Sequence, residues 1–276
     1  MALVLVTGAT DGIGRETARE LVRRGARVVV HGRNAEKAKA VSAELDALAK
    51  VKMPAPIVAD FSSLDDVRAM AKVLLSRGDG IDVLVNNAGV YMNEARLSRD
   101  GFEMTFAVNH LAPFLLTHLL LPRLRESSAP RIVNVSSMAH SSVSIDRAAL
   151  DTIATTKGFE PYASYAASKL ANVLFTVELA RRLGPPFAVN ALHPGVVSTK
   201  LLTEGFNMRG GESLAEGAAT SVRLALAPEV KGVTGRYFVR SKEAPMASSG
   251  RDRDLAGAFY VKSCALAGVT PLPERA

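Results

Sequence analysis

The chain has no tryptophan, a single cysteine and only 5% aromatic residues in its 276 positions. One thiol, Cys264, excludes an internal disulfide and suits a reducing compartment, so a cytoplasmic location is expected. No apolar run approaches the ~18 residues that a membrane-spanning helix needs. The opening residues Met1-Ala2-Leu3-Val4-Leu5-Val6 reach Thr7-Gly8 at once, without a charged n-region, an apolar signal core or a transit peptide. Neither secretion nor a membrane anchor is expected. The histidines, His31, His110, His118, His140 and His193, share no metal-ligand spacing, and no metal site is expected. The Arg and Lys residues lack the aromatic interleaving of a single-strand binder and match no DNA-reading motif, so nucleic acid is not an expected partner. A formal charge of +7 and a pI of 9.7 suit an anionic small ligand instead.

What is present is an apolar, moderately charged chain, 48% hydrophobic and 22% charged, with enough of each to bury a large core. Short apolar strands alternate with amphipathic helices, and no repeat, linker or low-complexity block interrupts them. Strands are read at 3–6, 26–30, 56–60, 81–85, 131–137, 187–192 and 235–240, which predicts one α/β domain over 1–276 with a parallel sheet of about seven strands. Helices are read after Gly12, after an Asn34 cap, after a Ser63/Asp66 capping box, within 102–124, around 163–183, over 214–226 and over 251–266.

Three features carry chemistry. Between the first strand and helix lies Thr7-Gly8-Ala9-Thr10-Asp11-Gly12-Ile13-Gly14, a glycine turn of the kind that lets backbone approach a pyrophosphate at a helix N-terminus. Arg33, at the end of the second strand, stands where a 2′-phosphate would be read, which favours NADP over NAD; Asp11 argues the other way, since its carboxylate would oppose added phosphate charge. Tyr165 and Lys169 are four apart and, on a helix, share a face, so a cation lies beside a phenol and can draw its pKa down. In the apolar stretch 102–124, Pro113 cannot donate to the carbonyl of Asn109, which leaves that oxygen open to a water or simply kinks the helix. The strand at 131–137 ends in two hydroxyls, Ser136 and Ser137, followed by an irregular insertion at 138–161. A glycine-containing stretch at 200–217 has the composition of a mobile lid.

With Thr7-Gly8-x-x-x-Gly12-x-Gly14, Asn86-Asn87-Ala88-Gly89, Asn109, Ser137, Tyr165-x-x-x-Lys169 and Pro194-Gly195 in this order, the chain resembles the short-chain dehydrogenase/reductase family. The stretch from Ser164 to Thr176 and the long spacing from Ser137 to Tyr165 most resemble its retinol-dehydrogenase-like branch. The resemblance implies a Rossmann-type, doubly wound fold and hydride transfer between NADP(H) and a small apolar aldehyde, ketone or alcohol. It also implies roles: Tyr165 as general acid/base, Lys169 lowering its pKa and holding the nicotinamide ribose, Ser137 on the carbonyl oxygen with Ser136 as the fallback, and Asn109 on a relay water. For the cofactor it implies Gly8, Gly12, Ile13 and Gly14 at the pyrophosphate, Arg33 at the 2′-phosphate, Asp60 at the adenine, Asn87 at the adjoining ribose, and Val196 and Thr199 at the nicotinamide. The insertion and the lid would shape the substrate pocket, and a homodimer or homotetramer would pack the helices at 102–124 and 163–183. Other readings are a non-catalytic NADP-binding regulatory module and an NADPH-dependent C=C reductase.

Overall fold

Alternation along the first strand decides the layering. In a computed structural model that describes residues 1–275, β1 (Leu3–Val6) turns Leu3 and Leu5 to one face of a sheet and Val4 and Val6 to the other, and each pair enters a different apolar core. Both faces are buried, as a continuous apolar strand requires of a central position. The sheet order is β3-β2-β1-β4-β5-β6-β7-β8, all parallel save the last pairing. The strands are β2 (Arg27–Gly32), β3 (Ile57–Val58), β4 (Val83–Asn86), β5 (Arg131–Val135), β6 (Ala188–His193), β7 (Arg236–Val239) and β8 (Lys242–Glu243).

The sheet therefore has eight strands rather than about seven. The extra one, β8, is a two-residue antiparallel edge reached through Arg240 and Ser241, both at positive φ, and is too short to show any periodicity. The strand expected at 56–60 shrinks to Ile57–Val58, and β5 stops at Val135, so Ser136 and Ser137 lie beyond the regular strand. Because β1 sits between β2 and β4, the winding reverses there, and the crevice for a ligand opens at the C-terminal ends of those two strands.

Helices α1 (Gly12–Arg23), α2 (Ala35–Ala49) and α7 (Leu214–Leu226) belong to the core that holds Val4 and Val6. The other core takes α3 (Leu64–Ser76), α6 (Pro161–Leu183), α8 (Arg253–Ala267) and a long apolar helix built of α4 (Met104–Phe106), a π-turn over Ala107–Leu111 and α5 (Ala112–Leu124). Ser63 caps α3 by accepting from Asp66 N at 3.2 Å, but the expected reciprocal box does not form, because the Asp66 carboxylate accepts from Asp60 N instead. The full box occurs at α7, between Ser213 and Glu216.

The expectation that no helix is apolar enough to span a membrane needs correcting: Met104–Leu124 is long and apolar enough, but 83% of its apolar window is buried inside the fold. What covers it includes α8. Tyr260 on α8 reaches His118, Ser263 reaches His110, and Phe259 meets Phe106 edge-on. α8 also packs along α6, so a dimer through the helices at 102–124 and 163–183 would have to share their surface with α8.

The Tyr260 hydroxyl ties this layer together. His118 Nδ1 lies 2.9 Å from the Phe114 carbonyl and so carries the hydrogen, leaving Nε2 to accept from Tyr260 O–H at 2.7 Å. The same oxygen accepts from Leu272 N at 3.2 Å. Tyr260→Phe strands both groups in a dry interior, and we expect a loss of ~1–3 kcal/mol. A urea titration checks this: the midpoint falls while the slope stays that of the wild type.

Candidate active site

The crevice begins at the glycine turn. Gly8 and Gly12 have φ of +64° and +52°, a region that side chains resist. A Cβ on Gly14 would lie 2.3 Å from the Gly8 carbonyl oxygen and 2.4 Å from Asn87 Nδ2, so only glycine lets α1 start this close to β4. Asp11 caps α1 by accepting from Gly12 N at 2.8 Å. Its carboxyl is held below the usual range, first by Lys200, whose ammonium lies 2.8 Å away. The turn is braced from two sides. Asn87 Nδ2 donates to the Thr7 and Gly8 carbonyls, and buried His31 accepts from Gly8 N at 3.3 Å while its other nitrogen lies 3.2 Å from the Ala59 carbonyl. Burial pushes His31 down to about 4, which keeps it neutral and able to accept.

A cleft of about 830 Å³ runs from this turn across the sheet edge. Gly8, Gly12, Ile13, Gly14, Arg33, Asp60, Asn87, Tyr165, Lys169 and Thr199 all line it. Arg33 is exposed, and Asp60 stands near it. Partial burial works against the charge on Asp60, but the Ser62 N–H and hydroxyl outweigh it, with Arg99 and Arg33 adding, so the carboxyl sits below its usual range. The glycine cradle and the arginine fit a dinucleotide carrying extra phosphate.

At the other end, α6 delivers Tyr165 and Lys169 to one face, as the four-residue step predicts. Lys169 Nζ lies 5.5 Å from the centre of the Tyr165 ring and donates to the Val135 carbonyl at 3.1 Å. The electrostatics differ from the expectation. Burial dominates at both groups: it pushes the Tyr165 phenol up to about 12, with Ser137 pulling the other way, and draws Lys169 down to about 8. The net shift of the phenol is upward because desolvation of the buried phenolate is its largest cause. Of the two serines, Ser136 is buried and spends its hydroxyl on the Lys169 carbonyl at 2.7 Å, whereas Ser137 stands beside the phenol.

Asn109 falls in the π-turn, a distortion that re-aims a side chain. Its amide clasps Val90 in both directions, accepting from N at 2.7 Å and donating to O at 3.0 Å, and it also donates to Ser168 Oγ at 3.0 Å. A Cβ on Gly89 would lie 3.3 Å from Asn109 Oδ1 and 3.4 Å from Lys169 Nζ, so these two side chains flank the Gly89 backbone.

Four sequence-derived positions behave otherwise than expected, and two of them, Ser137 and Asn109, stand outside the residues that line the cleft, among which Ser136 is found instead. Val196 is exposed and also lies outside that lining; its carbonyl accepts from Glu212 N at 2.7 Å, which ties together the two ends of the segment between them. Asn87 lines the cleft, but its side-chain donors serve the glycine turn rather than standing free for a ribose.

Sequence reasoning missed the aromatic wall. Phe206, just after the helical turn Leu201–Gly205, lies 4.2 Å from Tyr91 and meets Tyr165 edge-on at 5.1 Å, with Tyr162 6.5 Å beyond Phe206. In a chain so poor in aromatics, the clustering of two tyrosines and a phenylalanine near Tyr165 could have been suspected only for Tyr162, its helix neighbour.

Comparison with known proteins agrees with this geometry. A family model described as short chain dehydrogenase matches residues 2–210. Bovine retinol dehydrogenase 12 is 39% identical over 276 aligned residues, spanning 97% of this chain and 86% of the relative. Among solved structures, a protein from Mycobacterium paratuberculosis has a TM-score of 0.80 at 33% identity, covering 99% of this chain and 95% of its own. A short chain dehydrogenase from Shigella flexneri, complexed with NADP, has a TM-score of 0.72 at 25% identity, covering 87% and 97%. The match over residues 2–210 and the bovine relative at 39% identity lead to one conclusion: this chain belongs to the short chain dehydrogenase family.

Proposed function

We propose that the chain transfers hydride between a nicotinamide cofactor, NADP(H) in preference to NAD(H), and an apolar aldehyde, ketone or alcohol. The observation that carries this reading is that Tyr165 and Lys169, with Ser137 beside the phenol and Asn109 beside Gly89, lie at one end of a cleft whose other end is a glycine turn flanked by Arg33. The bound cofactor supplies or accepts the hydride. The protein has then to hold the reacting carbon in place and move one proton.

A phenol pushed up to about 12 keeps its proton at neutral pH, which suits Tyr165 as the acid that protonates the carbonyl oxygen during reduction. Ser137 donates to the same oxygen and fixes its position beside the phenol. Lys169, drawn to about 8, is still mostly a cation at pH 7, and its charge stabilises the phenolate left after proton transfer and reaches the cofactor ribose. Asn109 is assigned the relay water, through the carbonyl that Pro113, lacking an N–H, leaves without its usual donor.

Two observations support the cofactor and substrate choices. Asp11, which would repel a 2′-phosphate, is paired with Lys200 at 2.8 Å, which offsets part of its charge and leaves Arg33 as a cation beside Asp60. The NADP complex of the Shigella flexneri neighbour and the kinship with bovine retinol dehydrogenase 12 favour the same choice, NADP(H) and an apolar alcohol or carbonyl. The wall of Tyr91, Phe206 and Tyr162 is apolar and suits such a substrate.

Three measurements test the reading. Tyr165→Phe lowers kcat for carbonyl reduction by about 10²–10⁴-fold while NADPH still binds; wild-type turnover in that variant, across aliphatic, aromatic and terpenoid carbonyls, refutes the assignment. Arg33→Ala weakens NADPH binding by about 10- to 100-fold and leaves NADH nearly unchanged; equal losses for both cofactors remove Arg33 from the 2′-phosphate. With NADPH as the varied substrate, kcat/KM reports the ligand-free enzyme, and it falls as pH rises through about 8, where Lys169 loses its proton. A flat profile to pH 9.5, well past that value by roughly a unit and a half, contradicts a functional Lys169 cation.

A further inference from the structure

Behind Tyr165 the ends of three adjacent strands bring together polar side chains that the proposed reaction does not use: His140 just past β5, His193 closing β6 and Tyr237 on β7. His140 is buried at 1% exposure, and its ring centre lies 4.6 Å from that of Tyr237. Its two nitrogens have different partners. Nε2 lies 3.1 Å from the Ala247 backbone N–H and 3.4 Å from Ser141 Oγ, and Nδ1 lies 2.7 Å from the Ser137 carbonyl oxygen.

These partners settle the tautomer. A backbone N–H can only donate, so Nε2 accepts; a carbonyl can only accept, so Nδ1 carries the hydrogen. The neutral imidazole is thus a strut between the peptide of Ser137 and a segment 107 residues further along the chain. That segment is itself anchored. Ala244 N donates to the Tyr237 carbonyl at 2.9 Å, and Gly250 packs so closely on α6 that a Cβ there would lie 2.9 Å from Val173 Cγ1. Burial also holds His140 below its ordinary value, in keeping with a neutral ring.

Ser137 needs such a strut. It lies beyond the last residue of β5 and caps only a short 3-10 turn, Met138–Ser141, accepting from Ala139 N at 3.2 Å. Such a turn supplies few backbone bonds of its own, here His140 N–H to the Ser137 carbonyl at 3.2 Å and Ser142 N–H to the Ala139 carbonyl at 3.0 Å, with packing on α6 as its other support. A hydroxyl that must meet a carbonyl oxygen within about 0.5 Å cannot depend on it alone.

We propose that His140 is a positioning residue for carbonyl reduction: its Nδ1–H holds the Ser137 peptide, and its Nε2 bond to Ala247 fixes the ring that does so. This rests on the reading of Ser137 as the carbonyl-binding hydroxyl. A 1 Å displacement of such a group costs about 10²-fold in rate, so loss of His140 acts on kcat and leaves cofactor binding alone.

Two substitutions separate the bonds. The amide of Asn occupies the place of Nδ1, so His140→Asn keeps a donor for Ser137 and loses the tie to Ala247; His140→Gln reaches the place of Nε2 and does the reverse. With the best carbonyl substrate of the panel above and saturating NADPH, His140→Ala and His140→Gln should lose kcat by about 10- to 100-fold at unchanged NADPH Kd, whereas His140→Asn recovers most of it. Hydrogen exchange at the Ala247 amide should rise in His140→Ala and His140→Asn and stay low in His140→Gln, independently of turnover. If kcat instead follows melting temperature through all three variants, or stays at the wild-type value in His140→Ala, the inference is overturned. Ser137→Ala, run alongside, separates the two claims. Wild-type kcat in that variant defeats the reading of Ser137 and the inference with it; an impaired Ser137→Ala beside a fully active His140→Ala defeats the inference alone.

Discussion

A lysine ammonium taken out of water, with one backbone carbonyl at 3.1 Å as its hydrogen-bond partner, is the constraint on which the rest of the site depends. Lys169 is 4% exposed, and its carrier α6 is packed between the sheet and α8. An under-solvated cation is costly in a folded protein unless something repays it, and the repayment lies in what the cleft is built to hold. The neighbouring groups are arranged accordingly. Gly89 has no side chain to fill the space beside Nζ, Asn109 pins the loop that carries Gly89, and Tyr165 is buried in its neutral form. The pair therefore combines a phenol that keeps its proton at neutral pH with a lysine whose hold on its own proton is weakened by burial.

The features legible in the sequence are those governed by local geometry. The four-residue step from Tyr165 to Lys169, the glycines that admit close backbone approach and the alternation of strands with helices are each decided within about thirty residues, and each is found in the structure. What could not be read depends on partners distant in sequence. The Asn87 amide faces the glycine turn because β1 and β4 are neighbours, a fact of topology rather than of spacing. Val196 turns away from the cleft where Glu212 returns to donate to its carbonyl, a contact between residues far apart in the chain. The sign of the Tyr165 shift was misread because a charge pair can be seen in a sequence and a desolvation cannot.

The same distinction explains the outer layer. Met104–Leu124 is apolar enough to pass for a membrane helix, and nothing in its own residues says what will cover it. The answer lies well over a hundred residues away in α8, where Phe259, Tyr260 and Ser263 meet Phe106, His118 and His110. His110 and His118 are pushed to about 3 and about 4 by burial, so both are neutral struts in an apolar layer and neither is poised for proton chemistry at neutral pH. A histidine count alone would have suggested more reactivity than the fold allows.

The wall over Tyr165 has an optical side. The chain has five tyrosines and no tryptophan, and two of them, Tyr91 and Tyr165, line one cleft with their rings 5.5 Å apart. In most proteins ultraviolet emission is averaged over indoles scattered through the fold. Here the fluorophores are concentrated beside the place where a reduced nicotinamide, itself an absorber of their emission, would sit, so the protein carries a built-in local reporter of its own cleft.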